Sequence, residues 1–471
     1  MNDAVFGSEY HAERRLRLIR LDIGLAPLQV FEAIRAVWRD AFLLESLTGP
    51  KRLAEYSFIG FDPKLIIECY EGFSRIHEHG SVGEVEGDPL DLLRSLARPI
   101  TGISSSPRLI GGLVGYVSYE ASFLWEDIQM REKPGSIFPL MKFGLFEDAL
   151  VYDHERQQIY YYCSCAGDDR LDEVRKVLKG AGPPSVNHGL RYTSLRSNIS
   201  MDEFVSIVEA GKKYIERGDI FQVVLSRRLE FEIEGDLFPF YLRLRDLNPS
   251  PYMYYLRLGD DEIVGASPEM LVRVEGGRVE TFPIAGTRPR MNDPRLEEES
   301  DHELLSDEKE RAEHVMLVDL ARNDLAKIAE PGSVEVKDFM TLVKYSHVKH
   351  IVSRVKARLR GGATMYDAFK AVFPAGTVSG APKPRAMEVI EELEPVRRGP
   401  YAGAVGYFSL NGCCDFAITI RTLIRRSRLA YIQAGAGIVW DSIPEREWGE
   451  TQHKMMALVR ALEEAGERCV S

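Results

Sequence analysis

The chain has 471 residues, 45% of them hydrophobic, and a formal net charge of -12. That length can bury a large core and suggests roughly two to four domains, while the acidic balance argues against a nucleic-acid surface despite local basic spots such as Arg425 and Arg426. The start of the chain lacks the basic residues and apolar run of a signal peptide, and no stretch is long and uncharged enough to span a bilayer, so a cytoplasmic protein is expected.

In chain order, strands are expected at 56–59, 111–119 and 148–153, with 159–165 continuing the pattern up to a helix over 169–178. Residues 179–189 are a Gly/Pro/Ser-rich connection, which divides the chain into an N-terminal region, 1–190, and a C-terminal region, 191–471. Ser200 followed by Glu203 is a capping box; Phe204, Ile207, Val208, Tyr214 and Ile215 trace the helix it opens, and Gly218 is placed to end it. Residues 220–226 read as a buried strand, and further strands are expected at 252–257, 262–266, 270–275, 405–410, 415–423 and 429–434. Strands and helices mixed without regular alternation suggest an α+β architecture with sheets covered by helices. A TIM barrel ranks lower, because several strands after Ile220 are joined by turns too short for crossover helices.

Two acidic pairs stand out. If Pro444 opens a helix, Glu447, Glu450 and Lys454 share one face while Trp448, Met455, Leu458 and Leu462 form an apolar stripe on another. Glu310 and Glu313 repeat the helical spacing, with Leu317 and Leu320 nearby. Carboxylates and an amine on one ridge can hold a hard cation and an anionic ligand; a solvated charged face would use the same residues.

Several loops suit close approach to a ligand. Residues 374–383 supply two glycines, two hydroxyls and Lys383, but Pro384 stands where a nucleotide-binding P-loop needs Ser or Thr. Residues 433–437, Gln-Ala-Gly-Ala-Gly, follow a strand and offer backbone N–H groups to a carboxylate, or are simply a tight turn. Arg421, on an apolar strand, needs a partner: a ligand carboxylate or a structural Asp or Glu. The six cysteines follow no zinc spacing and suit reduced thiols. No Gly-x-Cys-x-Gly amidase loop occurs, so release of ammonia from glutamine by this chain is not expected.

Taken together, these segments resemble the chorismate-utilising enzymes, most closely the anthranilate synthase component I branch. The resemblance covers nearly the whole chain and is most specific at Phe-Gln-Val-Val-Leu-Ser (221–226), Gly-Ala-Ser-Pro-Glu (265–269), Pro-Ile-Ala-Gly-Thr-Arg-Pro-Arg (283–290), Val-Asp-Leu-Ala-Arg-Asn-Asp (318–324), and around Thr377 and Glu450. It implies two large stacked, mostly antiparallel sheets with helices outside and an active site between them. It also implies Mg²⁺ on Glu313 and Glu450, with Glu310 and Glu447 holding its waters, and the ring carboxylate of chorismate completing the shell, which agrees with an ion that keeps several waters. By the same resemblance the enolpyruvyl carboxylate meets Arg421, Tyr401 and the N–H groups of Gly435 and Gly437. Gly286, Thr287 and Thr377 touch the ring or its carboxylate, and Lys454 sits near the metal water.

The implied reaction adds ammonia to chorismate, expels the C4 hydroxyl and then pyruvate, and yields anthranilate, the first step of tryptophan biosynthesis. Glu269 is the expected acid for the departing hydroxyl, since a carboxylic acid can supply the proton that hydroxide needs to leave. His350 occupies the position linked to pyruvate elimination; as an isolated histidine it would more often be structural. A separate glutaminase subunit would deliver the ammonia. Gln222 stands where water-using relatives carry a lysine, which fits ammonia as the nucleophile. Ala285 stands where many aminodeoxychorismate synthases carry another; that branch is the alternative function, and a silent chorismate or tryptophan binder is a third. A feedback site for tryptophan is expected from Leu44, Glu45 and Ser46 with Pro251, Tyr252 and Met253. Here the sequence departs from the pattern: Glu55 replaces the arginine usual before Tyr-Ser-Phe-Ile-Gly, and Met291 a common glycine.

Overall fold

The computed structural model describes residues 16–47, 55–78, 80–100, 107–134, 137–164, 169–183, 189–291, 293–344 and 348–469. Among these residues the strands assemble into one sheet of 14 strands and one of 12. Neighbouring strands run antiparallel; the exception is the short pair Arg191–Tyr192 with Glu467–Arg468. The α+β expectation holds, and the barrel alternative does not.

Both regions of the sequence build both sheets. In the first sheet, Ala41–Glu45 pairs with Tyr56–Phe61 on one side and with Tyr252–Leu258 on the other. In the second, Gly112–Val117 pairs with Ala404–Ser409. Residue 190 therefore marks a change in sequence character, not a break between separate sheets. Alternation decides what each strand buries. Tyr254 and Leu256 face a core cluster shared with the second sheet, while Met253 and Tyr255 face a second cluster beneath the helices Pro27–Val37, Phe238–Leu247 and Pro444–Ala465. Because both faces are buried, the strand shows no alternation of polar residues.

Helix boundaries follow their caps. Ser200 accepts from the Glu203 N–H at 3.2 Å while the Glu203 carboxylate accepts from the Ser200 N–H at 2.7 Å, closing the expected box at the head of Met201–Glu216. Pro444 is the first residue of Pro444–Ala465, and Met455, Leu458 and Leu462 of its apolar stripe are buried. The helix Glu308–Ala326 carries Glu310 and Glu313 and is capped by the Asp307 carboxylate.

Four expectations are corrected. The single strand read over 415–423 is two, Cys414–Ile418 in the second sheet and Thr422–Arg426 in the first. The Gln433–Gly437 run is not a turn after a strand but the end of the strand Leu429–Ile438. The strand read over 220–226 extends over Gln222–Glu234. Finally, the thiols are not all reduced: Cys163 is disulfide-bonded, Cys69, Cys413, Cys414 and Cys469 are free, and Cys165 lies outside the described residues. No helix among the described residues is long and apolar enough to cross a membrane.

Candidate active site

Two neighbouring crossovers between the sheets set the site. The chain leaves the first sheet after Asp261–Ser267 and enters the second at Met270–Glu275, passing through Pro268 and Glu269. It returns from Cys414–Ile418 to Thr422–Arg426 by way of Arg421. The Ile418 N–H donates to the Glu269 carbonyl at 3.1 Å, and the Ala266 N–H donates to the Arg421 carbonyl at 3.1 Å, so the crossovers brace each other. Arg421 adopts φ of 50°, a left-handed conformation unusual for a side-chain-bearing residue, at the point where the backbone must change sheets. Its guanidinium donates to the Asn248 amide oxygen at 3.3 Å and has no ion pair with any described residue. Among the described residues no Asp or Glu forms the structural ion pair expected for it, although the charge of Glu269 acts on it.

Glu269 is buried, and no ion pair reaches it among the described residues. Burial pushes its carboxyl up to about 8, opposed by the Thr377 hydroxyl and by the charges of Lys454 and Arg421. Thr377 lies on the turn Gly376–Ser379, and its buried hydroxyl makes no hydrogen bond of good geometry. A neutral carboxyl poised near 8 is a proton donor at physiological pH. His350, on Val348–Arg358, faces the Gly286 carbonyl at 3.1 Å through Nδ1; burial pushes its imidazole down to about 4, the carbonyl opposing and the Arg421 charge adding. It is therefore a neutral group.

The acidic pairs converge from two helices. The Glu313 carboxyl is raised by burial and then by the charges of Glu310 and Glu450, against the Gln222 amide, which donates to it at 3.3 Å, and Lys454. Glu447 is likewise raised by burial, with the Ser442 hydroxyl opposing and Glu450 adding. Lys454 Nζ bridges Glu450 at 2.6 Å and the Gly435 carbonyl at 2.9 Å, and Arg288 reaches Glu310 at 3.2 Å. No group of three or more His, Cys, Asp or Glu side chains among the described residues is close enough to hold a metal unaided. The donor set is one of hard oxygens whose mutual repulsion a cation would relieve, and it suits an ion that takes one or two carboxylates and keeps its waters.

Gly435 and Gly437 lie past the last residue of Leu429–Ile438 that pairs with Thr422–Arg426, so one edge of the strand is open there. Their register partners on Gln222–Glu234 are Ser226 and Val224. The Ser226 N–H goes to Glu394 at 2.7 Å and the Val224 carbonyl to Arg398 at 2.7 Å, so neither glycine exchanges ladder bonds with them and both N–H groups point to the open edge. A β-carbon on Gly435 would lie 3.1 Å from the buried Tyr401 hydroxyl, and one on Gly437 would lie 2.5 Å from the Gln222 amide, so any larger residue would displace these side chains. Gly286 sits in a bulged strand with φ of 62°; the side chain of Thr287, next to it, lies outside the described residues. Lys383 faces no ligand: it is buried, donating to Asp324 at 2.6 Å and to the Val372 carbonyl at 2.9 Å.

The segments expected to bind tryptophan meet elsewhere in the first sheet, where Met253 is opposite Glu45 and Tyr254 opposite Leu44. Alternation divides them between two faces. Glu45 points to the helix layer, accepting from the Tyr241 hydroxyl at 2.5 Å and from Arg245 at 3.1 Å, and is satisfied there. Ser46, with a buried hydroxyl lacking a partner, Leu44 and Tyr252 belong to the inner face, where Tyr252 donates to Asp415 at 3.0 Å. Glu55, the departure from pattern, pairs with the buried Arg108 at 2.6 Å.

The family described as chorismate binding enzyme matches residues 39–460. The chain belongs to that family. It is 48% identical over 442 residues to anthranilate synthase component 1 of Methanothermobacter thermautotrophicus, covering 94% of this chain and 93% of that one. With anthranilate synthase component 1 of Aquifex aeolicus it shares 43% identity over 459 residues, 94% of this chain and 93% of the relative. A crystal structure of anthranilate synthase component I from Streptococcus pneumoniae TIGR4 has the same fold, with a TM-score of 0.77 and 39% identity over 88% of this chain and 94% of that one. The resemblance read from the motifs and the expected fold are both borne out. The motifs did not reveal the hydrogen-bond partners behind this candidate site, Asn248 under Arg421 and the Glu394–Arg398 pair under Gly435 and Gly437.

Proposed function

We propose that this chain makes anthranilate from chorismate and ammonia, releasing pyruvate and water, as its relatives' shared name suggests for the full length of the chain. The observation that carries the reading is Glu269: a buried carboxyl near 8 with no ion pair among the described residues, facing only the Thr377 hydroxyl and the charges of Arg421 and Lys454. Such a group gives its proton to the C4 hydroxyl, which then leaves as water while ammonia bonds to C2. Loss of the enolpyruvyl group as pyruvate and of a ring hydrogen aromatises the product. Neutral His350 has the protonation state needed to accept or relay a proton in that second step.

Arg421, Tyr401 and the N–H groups of Gly435 and Gly437 hold the enolpyruvyl carboxylate. Gly286, Thr287 and Thr377 line the ring side. Mg²⁺ would be held by Glu313 and Glu450 directly, and by Glu310 and Glu447 through water. Bound there, the ion supplies positive charge that fixes the ring carboxylate of chorismate. Gln222 binds Glu313 as a neutral amide and cannot act as a base toward water, which favours ammonia.

Ammonia comes from a separate glutamine amidotransferase subunit, consistent with a chain of the component 1 type. Two of the thiols fit this: burial pushes Cys69 up to about 12 and Cys413 to about 11, so neither of these is a thiolate nucleophile. We also assign the inner face at Leu44, Ser46 and Tyr252 to tryptophan as a feedback inhibitor, with Pro251 beside it, and place the reaction in the cytoplasm. The deciding assay gives the purified chain chorismate, Mg²⁺ and an ammonium salt. Fluorescent anthranilate is the expected product; a para-amino product would assign the chain to the aminodeoxychorismate branch, and no product would reject the reading.

A further inference from the structure

We infer that Arg398 is the positioning residue that gives the carboxylate slot its shape, an inference that rests on the assignment of Tyr401 and Thr377 to substrate. Arg398 is 1% exposed, among the most deeply buried large side chains of the protein. Its Nε and Nη2 donate to the two Glu394 oxygens at 2.9 and 2.6 Å, Nη2 also to the Val224 carbonyl at 2.7 Å, and Nη1 to the Val378 carbonyl at 2.7 Å. Val378 follows Thr377, and Val224 lies opposite Gly437. The guanidinium also lies 4.5 Å from the Tyr119 ring centroid and 5.9 Å from that of Tyr401.

The contacts continue outward. Glu394 accepts from the Ser226 N–H and hydroxyl at 2.7 and 2.8 Å, and Ser226 is the register partner of Gly435. The Arg398 backbone is held in turn, its N–H donating to Glu120 at 2.6 Å and its carbonyl accepting from Tyr431 at 2.9 Å. One planar fork therefore sets the mutual distance of the Thr377 turn, the Tyr401 ring and the strand edge that pairs with the two glycines. A lysine ammonium keeps the charge opposite Glu394 but cannot address three acceptors in one plane.

Arg398→Lys is expected to fold and to raise the KM for chorismate roughly 10-fold or more, with kcat changed less than about 3-fold, because ground state and transition state lose the same contacts. The effect should vanish in combination: Arg398→Lys on top of Tyr401→Phe should cost little beyond the larger single effect, since the arginine acts through the tyrosine. Lys142→Met, which breaks a buried pair with Glu68 and Asp261 at 2.9 and 3.0 Å, is the control for destabilisation alone and should leave KM unchanged. If Arg398→Lys does not fold, Arg398→Met with Glu394→Met removes both charges together, and the same KM rise is expected. An unchanged KM in a folded variant, or effects that multiply independently with Tyr401→Phe, would overturn the inference. Unchanged KM in Tyr401→Phe and Thr377→Val would reject the substrate slot itself, and this inference with it.

Discussion

Glu269 and Glu394 are buried alike, at 8% and 4% exposure, and lie in neighbouring parts of the same molecule. Around Glu394 every approach is filled: an arginine fork, a backbone N–H and a serine hydroxyl all donate to it. Around Glu269 the groups stop short, leaving a lifted carboxyl, a Thr377 hydroxyl that reaches it without good hydrogen-bond geometry, and an arginine whose guanidinium donates to an amide. A buried polar group left incomplete costs stability, so its persistence points to a ligand that completes it. The first region holds shape, and the second is where the proposed chemistry falls.

The largest expected effect tests where the charges of the second region belong. Glu313→Gln and Glu450→Gln should each lower turnover roughly 1,000-fold or more if both bind Mg²⁺ directly. Glu310→Gln and Glu447→Gln, acting through water, should weaken Mg²⁺ roughly 10- to 100-fold and recover at high Mg²⁺. Magnesium titrations of activity separate the two classes; near wild-type turnover at limiting Mg²⁺ in either of the first pair removes that residue from the metal.

The comparison itself predicts opposite signs for one substitution. Glu269→Gln should lower kcat roughly 100- to 10,000-fold and stabilise the fold. The folded carboxyl titrates near 8, above its ordinary value, so the stability of the acid form is full below the ordinary carboxylate range and is lost as pH rises toward 8. Glutamine suffers no such loss, so the gain should reach up to about 3 kcal/mol at pH 7 and disappear near pH 4. Glu394→Gln should instead cost about 3–5 kcal/mol by leaving Arg398 uncompensated. Urea unfolding of both variants at two pH values measures this, and equal signs would erase the distinction between the regions. Wild-type kcat, at saturating free ammonia, should fall as pH rises through about 8, and that limb should be absent from the residual activity of Glu269→Gln. His350, down near 4, should add no inflection between about pH 5 and 8.

Much of this was legible in the sequence because helix faces and caps are local. The acidic pairs, the Ser200 box and the Pro444 start all follow from spacing of three or four residues. What the sequence did not show was where the chain changes sheets. The apolar run 415–423 reads as one strand because a left-handed residue at Arg421 leaves no mark in hydrophobicity. The Leu429–Ile438 strand was cut short because its glycines resemble a turn, though here they make room for Tyr401 and Gln222. The strands Glu335–Lys344 and Val348–Arg358 went unseen, since the first is charged and largely exposed and neither shows a clean alternation. The Arg398–Glu394 pair had no signal, for an arginine in Arg-Arg-Gly-Pro reads as surface.

The smallest expected effect on basal activity lies at the other end of the first sheet, where an incomplete group is again the guide. Ser46 keeps a buried hydroxyl without a partner, whereas Glu45, one residue away on the opposite face, is already held by Tyr241 and Arg245. Tryptophan bound on the inner face would therefore address Ser46, and its contact with Tyr252 would reach Asp415 and Arg273, which join the strands leading to Arg421 and away from Glu269. That link would give a bound effector a route to the site, and linkage would then require chorismate to weaken tryptophan binding by the same factor. Ser46→Phe should fill the slot and abolish inhibition while uninhibited kcat stays within about 2-fold, since the residue touches none of the reacting groups. Calorimetry of the wild-type chain without chorismate measures the site directly. Absence of binding there, with Glu55 and Arg108 paired across the neighbouring strand end, would show that the incomplete hydroxyl at Ser46 serves another purpose.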